Sequence, residues 1–202
     1  MDFDDVVRGR RMVRHFSSEP VDHAVLERIA ATAQRAPSAG FSQGQRLLVV
    51  TEPDLRHRLA VLCGELEYTE AGFDPWISEA PALFIPCVSE EIYHARYREA
   101  DKTGDGGIET EWPVPYWWMD VGCTVMLVLL ASVNEGLTAG FAGADAPGYV
   151  EMRSFLGIPA EFSPVGVIPV GRPLPDKRSE SLKRGWVSNP EFARWNHWSS
   201  GS

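Results

Sequence analysis

Cysteine is scarce in this chain and widely dispersed. Cys63, Cys87 and Cys123 form an odd count with no CxxC pair, which excludes a disulfide framework and a Cys/His zinc centre. Each lies among apolar residues and reads as a small buried hydrophobe in a reducing compartment. Positive charge is scarce too: 19 Lys and Arg stand against 28 Asp and Glu, a net charge of −9. Such a chain lacks the basic surface needed to displace counterions from nucleic acid or to dock on an anionic membrane. No apolar run reaches the roughly 20 uninterrupted residues that cross a bilayer. The longest, Trp117–Asn134, contains Asp120 and is closed by Asn134-Glu135. Met1-Asp2-Phe3-Asp4-Asp5 has neither the basic start nor the apolar run of a secretory leader, so a cytoplasmic protein is expected. GxSxG, P-loop, HExxH and post-strand GxGxxG patterns are also missing. The five histidines, at 15, 23, 57, 94 and 197, show no pairing with a nucleophile.

What is present points to one folded unit. Hydrophobic residues make up 44% and charged residues 23% of the 202-residue chain, ordinary values for a globular domain. A single domain over 1–202 is expected. Its most distinctive stretch comes early. Arg10-Arg11-Met12-Val13-Arg14-His15-Phe16 places three arginines in five positions, with apolar neighbours to anchor them. Arginine presents a fork of donors suited to two-point contact with a phosphate. Guanidiniums this close repel one another unless an anion, or carboxylates such as Asp4, Asp5 or Glu19, sit among them. A second basic pair, Lys183-Arg184, stands near the other end, so both ends can close on one anion. Anion-binding ends without a catalytic side-chain constellation point to a bound cofactor that carries the reactivity.

Apolar spacing predicts a helix from Phe3 to about Arg10, then one from an Asp22 N-cap with Leu26, Ile29, Ala30 and Ala33 on its stripe, stopped by Pro37. Residues 36–45, Ala-Pro-Ser-Ala-Gly-Phe-Ser-Gln-Gly-Gln, read as a loop whose small residues let backbone approach a flat ligand. It runs into a strand at Leu47–Thr51. A helix from Asp54 carries Leu55, Leu59, Leu62 and Leu66 on one face. Ala82–Ile85 opens a buried strand, and Glu90 to about Lys102 is a polar helix with Tyr93 and Tyr97 on one stripe. Thr103–Pro115 reads as a loop or lid. Trp117–Asn134 is apolar on all sides, which marks a buried central helix or one shared between subunits, with Gly136 placed to end it. Leu137–Ala142 and Val165–Gly171 read as strands, and Tyr149–Leu156 as a short helix between them. From Arg172 the tail is extended, yet it holds Trp186, Phe192, Trp195 and Trp198. These need something to pack on, and a second subunit is expected to supply it. Ser199–Ser202 is expected to be disordered. Strands interleaved with helices give an α+β or α/β sandwich on a mixed sheet.

These segments resemble a known family. Arg10–Phe16 is similar to the N-terminal RRSVRxF signature of the nitroreductase family of flavoproteins. Residues 36–43 resemble its APSAGNSQPW loop. Glu135–Gly143 resembles its strand leading to the flavin N5 region, and Pro164–Gly171 followed by Lys183-Arg184 its closing strand and basic tail. The four segments keep the family's order and span nearly the whole chain. The resemblance implies an α+β homodimer with two FMN sites at the subunit interface. It also implies a mixed β-sheet flanked by helices, a long buried central helix and a tail embracing the partner. The implied activity is ping-pong transfer of electrons from NAD(P)H to a small organic acceptor, such as a nitro compound or quinone. Two alternatives stay open: an enzyme acting on flavin or deazaflavin itself, and a non-catalytic flavin-binding or sequestering protein.

Carried over by position, the resemblance gives Arg10, Arg11, Met12 and Arg14 to the phosphate and ribityl end of FMN. Lys183 and Arg184, or Arg178 in their place, would complete the phosphate site. Pro37, Ser38, Ala39, Gly40 and Gln43 would come from the other subunit and line the isoalloxazine. Ala142, Gly143 and Ala144 would lie near flavin N5, where backbone N–H groups stabilise developing charge. Phe41, Trp112, Tyr116 and Trp117 fall where the family covers its substrate, although tryptophan is more often core than lid. No catalytic side chain and no metal are expected. Phe41 stands where the family has Asn, Gly44-Gln45 where it has Pro-Trp, and Met12 where it has Ser.

Overall fold

The sheet is built on its most apolar strand. In the computed structural model, which describes residues 1–103, 108–109, 111–175 and 180–198, strand β2 (Ala82–Val88) is buried at every position. Strand β1 (Gln45–Val50) pairs with it antiparallel, from Gln45 opposite Val88 to Val50 opposite Leu83. On its other side β2 pairs with β5 (Ile168–Gly171) and, at its C-terminal end, with the short β4 (Ser163–Pro164). Strand β3 (Thr138–Ala139) closes the order β1-β2-β5-β3. The α+β class stands, but the expected mixed sheet is corrected: these strands all pair antiparallel, and parallel pairing is confined to one bridge between Met12 and Ala139. The reason lies in the connections. Between β1 and β2 the chain passes through α3 (Pro53–Leu62) and α4 (Glu65–Glu70) and re-enters the sheet at the end it left. A parallel neighbour would require a crossover to the opposite end.

Alternate residues of β2 serve opposite cores, as the period of two requires. Ala82 and Phe84, with Ile168, Val170 and Ala139, meet Leu26, Ile29 and Ala33 of α2 (His23–Ala33) and Val128 and Leu129 of α6 (Tyr116–Asn134). Leu83, Ile85 and Cys87 meet Leu59 and Ala60 of α3 and Met152 of α7 (Ala146–Phe155). Burying one such large aliphatic side chain stabilises the fold by about 1.5–3 kcal/mol, so a strand covered on both faces anchors both layers.

Local chemistry explains most element ends. Helix α1 (Phe3–Gly9) follows an Asp2 cap. The Asp22 side chain caps α2 by accepting the Ala24 N–H at 2.9 Å, as its sequence predicts. The helix expected from Asp54 through Leu66 instead breaks at Gly64, whose φ of +77° is left-handed, and Leu66 faces solvent on α4. Helix α5 (Glu90–Tyr97) ends earlier than expected. Helix α7 starts before Tyr149, at Ala146, because Pro147 is tolerated in a first turn that Asp145 caps. Gly136, at φ +75°, ends α6 with its N–H on the Val133 carbonyl at 3.0 Å, while Leu137 N–H reaches Ser132 at 2.8 Å.

Helix α6 is long and apolar enough to cross a membrane by length and composition, but Trp117, Val121, Thr124 and Val128 pack into the protein. Its other side leaves Trp118, Met119 and Met126 exposed. Within one chain the expected all-round burial is therefore met on one face only. The tail forms a 3-10 turn at Glu180–Arg184 and α8 (Asn189–Phe192). Trp186, Phe192, Trp195 and Trp198 are 81–92% exposed. Arg178, Ser199–Ser202 and positions 104–107 and 110 of the Thr103–Pro115 loop lie outside the described residues.

Candidate functional site

The basic stretch is held as an extended edge. Val13 and Phe16 are buried anchors. Val13 N–H donates to the Ala139 carbonyl at 3.2 Å, and Ser17 N–H to Arg172 at 2.9 Å. Beside these anchors Met12 is exposed and Arg14 half-buried. The Arg14 guanidinium carbon lies 5.6 Å from the Trp76 ring centroid, a cation–π distance. Asp4 is engaged by Arg8 at 3.0 Å and Glu19 by Arg172 at 3.2 Å. Among the described residues neither Arg10 nor Arg11 has a carboxylate partner. Asp4 and Glu19 are thus committed elsewhere, which leaves this strand suited to an anion.

A turn lies beside this strand. Gly140 is required there by close approach: a Cβ would sit 2.6 Å from Cζ3 of Trp76 and 2.6 Å from the Val13 carbonyl oxygen. Ala142 pairs with Val167 through two hydrogen bonds of 2.9 and 2.8 Å. The next two N–H groups, of Gly143 and Ala144, have no acceptor among the described residues. Asp145 then opens α7, accepting Gly148 N–H at 2.7 Å. Two unengaged donors next to an arginine strand can hold a polar, electron-rich edge of a ligand.

The third segment, Pro37–Gln43, is strained and heavily braced. Gly40, Phe41 and Gln43 have φ of +59°, +56° and +54°, a region that costs a non-glycine residue about 1–3 kcal/mol. The loop persists because Ala39 N–H donates to Asp120 at 2.8 Å and Gln43 N–H to Ser38 Oγ at 2.9 Å. Arg96 Nε also donates to the Gly40 carbonyl at 3.0 Å. Tyr97 fills the space beside Gly40, 2.6 Å from where a Cβ would stand. Phe41 projects into solvent, 75% exposed. Beside it opens a groove of about 960 Å³ lined by Ala33, Ala36, Phe41, Gln43, Arg46 and Thr124.

These segments do not all meet in one chain. Arg10–Arg14, Trp76 and Gly140–Ala144 converge at the β3 edge, whereas Pro37–Gln43 lead into β1 at the opposite edge. Three strand spacings separate β1 from β3, about 14 Å. Lys183 and Arg184 are exposed on the 3-10 turn. The tail leaves the sheet beside the basic strand, where Leu174 N–H donates to the His15 carbonyl at 2.9 Å.

Trp112, Tyr116 and Trp117 join Tyr93, His94 and Tyr97 in one aromatic cluster, with Trp112 4.4 Å from Tyr97 and 5.7 Å from Trp117. Trp117 is buried and belongs to the core, while Tyr116 remains partly open. Glu109 ties the loop down. It takes the Trp112 indole N–H at 2.7 Å, Arg98 Nε at 3.0 Å and His94 Nδ1 in a very short contact. The hydrogen bond that His94 donates to Glu109, helped by Glu90, holds His94 above the usual histidine range. Burial pushes the Cys63 and Cys87 thiols up to about 12, so neither is a ready nucleophile.

Sequence reasoning did not single out Trp76, Glu65, Arg56, Asp120 or Arg96. Asp120 and Arg96 brace the Pro37–Gln43 loop and Trp76 packs on Gly140 and Arg14 from distant parts of the chain, while Glu65 and Arg56 bond the segment that carries Trp76; residue type alone carries no signal for any of them.

The chain matches the sequence profile of the nitroreductase family over residues 7–172. It belongs to that family. Iodotyrosine deiodinase of Danio rerio is 27% identical over 181 residues, 87% of this chain and 61% of that protein, so the chain spans less than two thirds of this relative. The 5,6-dimethylbenzimidazole synthase of Rhodobacter capsulatus is 44% identical over 52 residues, 26% of this chain and 25% of its own. The FMN-dependent nitroreductase of Clostridium difficile R20291 shares the fold at 16% identity, with a TM-score of 0.70 over 96% of this chain and 99% of its own.

Proposed function

We propose that this nitroreductase-family chain is a cytoplasmic homodimer that binds FMN and uses it to pass electrons from NAD(P)H to a small organic acceptor. The observation that carries this reading is the pairing of two uncompensated arginines, Arg10 and Arg11, with the unengaged N–H groups of Gly143 and Ala144 across a turn that Trp76 and Gly140 keep tight. That donor set fits FMN: guanidiniums suit the phosphate, and backbone N–H groups suit the polar edge of the ring. Bound FMN supplies two-electron transfer that no side chain here can perform. The protein's own part is to bind, orient and control access. Arg10, Arg11 and Arg14, with Lys183 and Arg184, would neutralise the phosphate and fix the ribityl end. Gly143 and Ala144 N–H would hold the ring where charge develops. The Ser38–Gly40 loop of a second copy would cover its face, which accords with the placement of that loop at the opposite sheet edge.

A second reading concerns the acceptor. The deiodinase relative, named for iodotyrosine, favours an aromatic acceptor, and the partly open Tyr116 and exposed Phe41 offer apolar contact for one. One assay tests both. Flavin-depleted protein is supplied with NADH or NADPH and either a quinone or iodotyrosine, with and without FMN. Many turnovers per FMN, absent without it, are expected. Activity that persists after complete flavin removal contradicts the proposal, and FMN consumed stoichiometrically favours an enzyme acting on flavin itself.

A further inference from the structure

The short segment Trp76–Ala80 is clamped from both sides. Glu65, a buried carboxylate at the start of α4, accepts the backbone N–H groups of Trp76, Ile77 and Ser78 on Oε1 at 2.8, 2.6 and 3.2 Å. Its Oε2 accepts the Ser78 hydroxyl. Arg56 takes the opposite polarity: its Nη1 donates to the Ser78 and Ala80 carbonyls at 2.6 Å each, and its Nε to Thr51 at 3.2 Å. A glutamate is almost never buried unless its acceptor capacity is used. Here that capacity is spent on three backbone N–H groups and one hydroxyl of a stretch that no helix or strand supports.

What the clamp fixes is Trp76. The indole is buried, and one ring meets both halves of the arginine-side site. It lies under the Arg14 guanidinium, 5.6 Å from its carbon. It also closes on Gly140, where the space for a Cβ is already taken by the ring and by the Val13 carbonyl. A shift of Trp76 would therefore move the surface on which Arg14 rests.

We propose that Glu65 is a positioning residue for the cofactor site: through Trp76 it sets where the Arg14 guanidinium stands. This rests on the FMN reading of that site. The carboxylate acts through the Trp76–Ser78 segment that it holds. Four donors on one side chain also explain why an acidic residue occupies a position where an apolar one would otherwise pack more favourably.

The test uses the full-length protein with Glu65→Gln and Arg14→Ala, singly and together, with FMN dissociation constants from flavin fluorescence and melting temperatures without flavin. Glutamine keeps the size but replaces one acceptor oxygen with a donor. Glu65→Gln is expected to weaken FMN binding about 10-fold, in line with a displaced cation–π contact. In the Arg14→Ala background that effect on binding is expected to vanish, while the loss of melting temperature persists in both. Equal weakening in both backgrounds would mean a general structural role and overturn the proposal, as would unchanged affinity. Should Glu65→Gln not fold, Ser78→Ala removes one of the four donors with little loss of packing and is expected to show the same non-additivity at smaller size. A wild-type chain that takes up no FMN overturns the FMN reading, and this proposal with it, which separates that failure from a failure of Glu65 alone.

Discussion

Individual side chains divide into those a reader of the sequence can find and those only the fold reveals. Arg10, Arg11 and Arg14 were legible because three guanidiniums in five positions need neutralising, and in the structure Asp4 is engaged by Arg8 and Glu19 by Arg172. Trp76, Glu65 and Asp120 were not legible. Asp120 reaches Ala39 across 81 positions, and Glu65 acts mainly on backbone N–H groups more than ten positions away. Gly140 is the residue where this hidden geometry is most exposed to test. Its Cβ would press on an indole ring and a carbonyl oxygen, neither of which is the free end of a flexible chain. Gly140→Ala is expected to destabilise the protein by about 1–3 kcal/mol, the usual result of overpacking, and to weaken FMN uptake. Denaturant midpoints against wild type measure the first effect. An unchanged midpoint would show that Trp76 has room to move.

Between elements, the sequence announced existence better than direction or ends. The apolar run at Ala82 marked a strand buried on both faces, but period-two burial says nothing about parallel or antiparallel pairing, and the sheet proved antiparallel. The break at Gly64 was missed because the leucine spacing continues across it. The link between α5 and the loop after it makes a prediction of its own. Glu109 first, then Glu90, raises His94 above its ordinary 6.5, so that contribution to stability is complete below about pH 6.5 and fades as pH rises through the higher folded value. His94 in turn lowers Glu109 below its ordinary 4.5, so its share is complete above that pH and fades as pH falls through the lower folded value. The melting-temperature difference between wild type and His94→Gln is therefore expected to be largest between about pH 4.5 and 6.5 and to shrink toward pH 9. A difference that does not change with pH would remove the ion pair from the account.

The proposed function makes this chain one half of an assembly. The sequence made this visible in a helix apolar all round and a tail rich in tryptophan. The fold gives both a physical form: Trp118, Met119 and Met126 are exposed on α6, and Trp186, Phe192, Trp195 and Trp198 are exposed in the tail. In the proposed dimer this apolar surface would be where the two copies meet. In the proposed site the two groups of segments, at opposite sheet edges, need a second copy to bring them together. The most direct measurement is an FMN titration followed by visible absorption and light scattering on the same sample. The account predicts flavin equimolar with chain, on a particle of twice the 22.4 kDa chain mass, with uptake lost when Arg10 and Arg11 are both replaced by alanine. A chain that ignores FMN, or a monomer that binds it fully, would contradict the account.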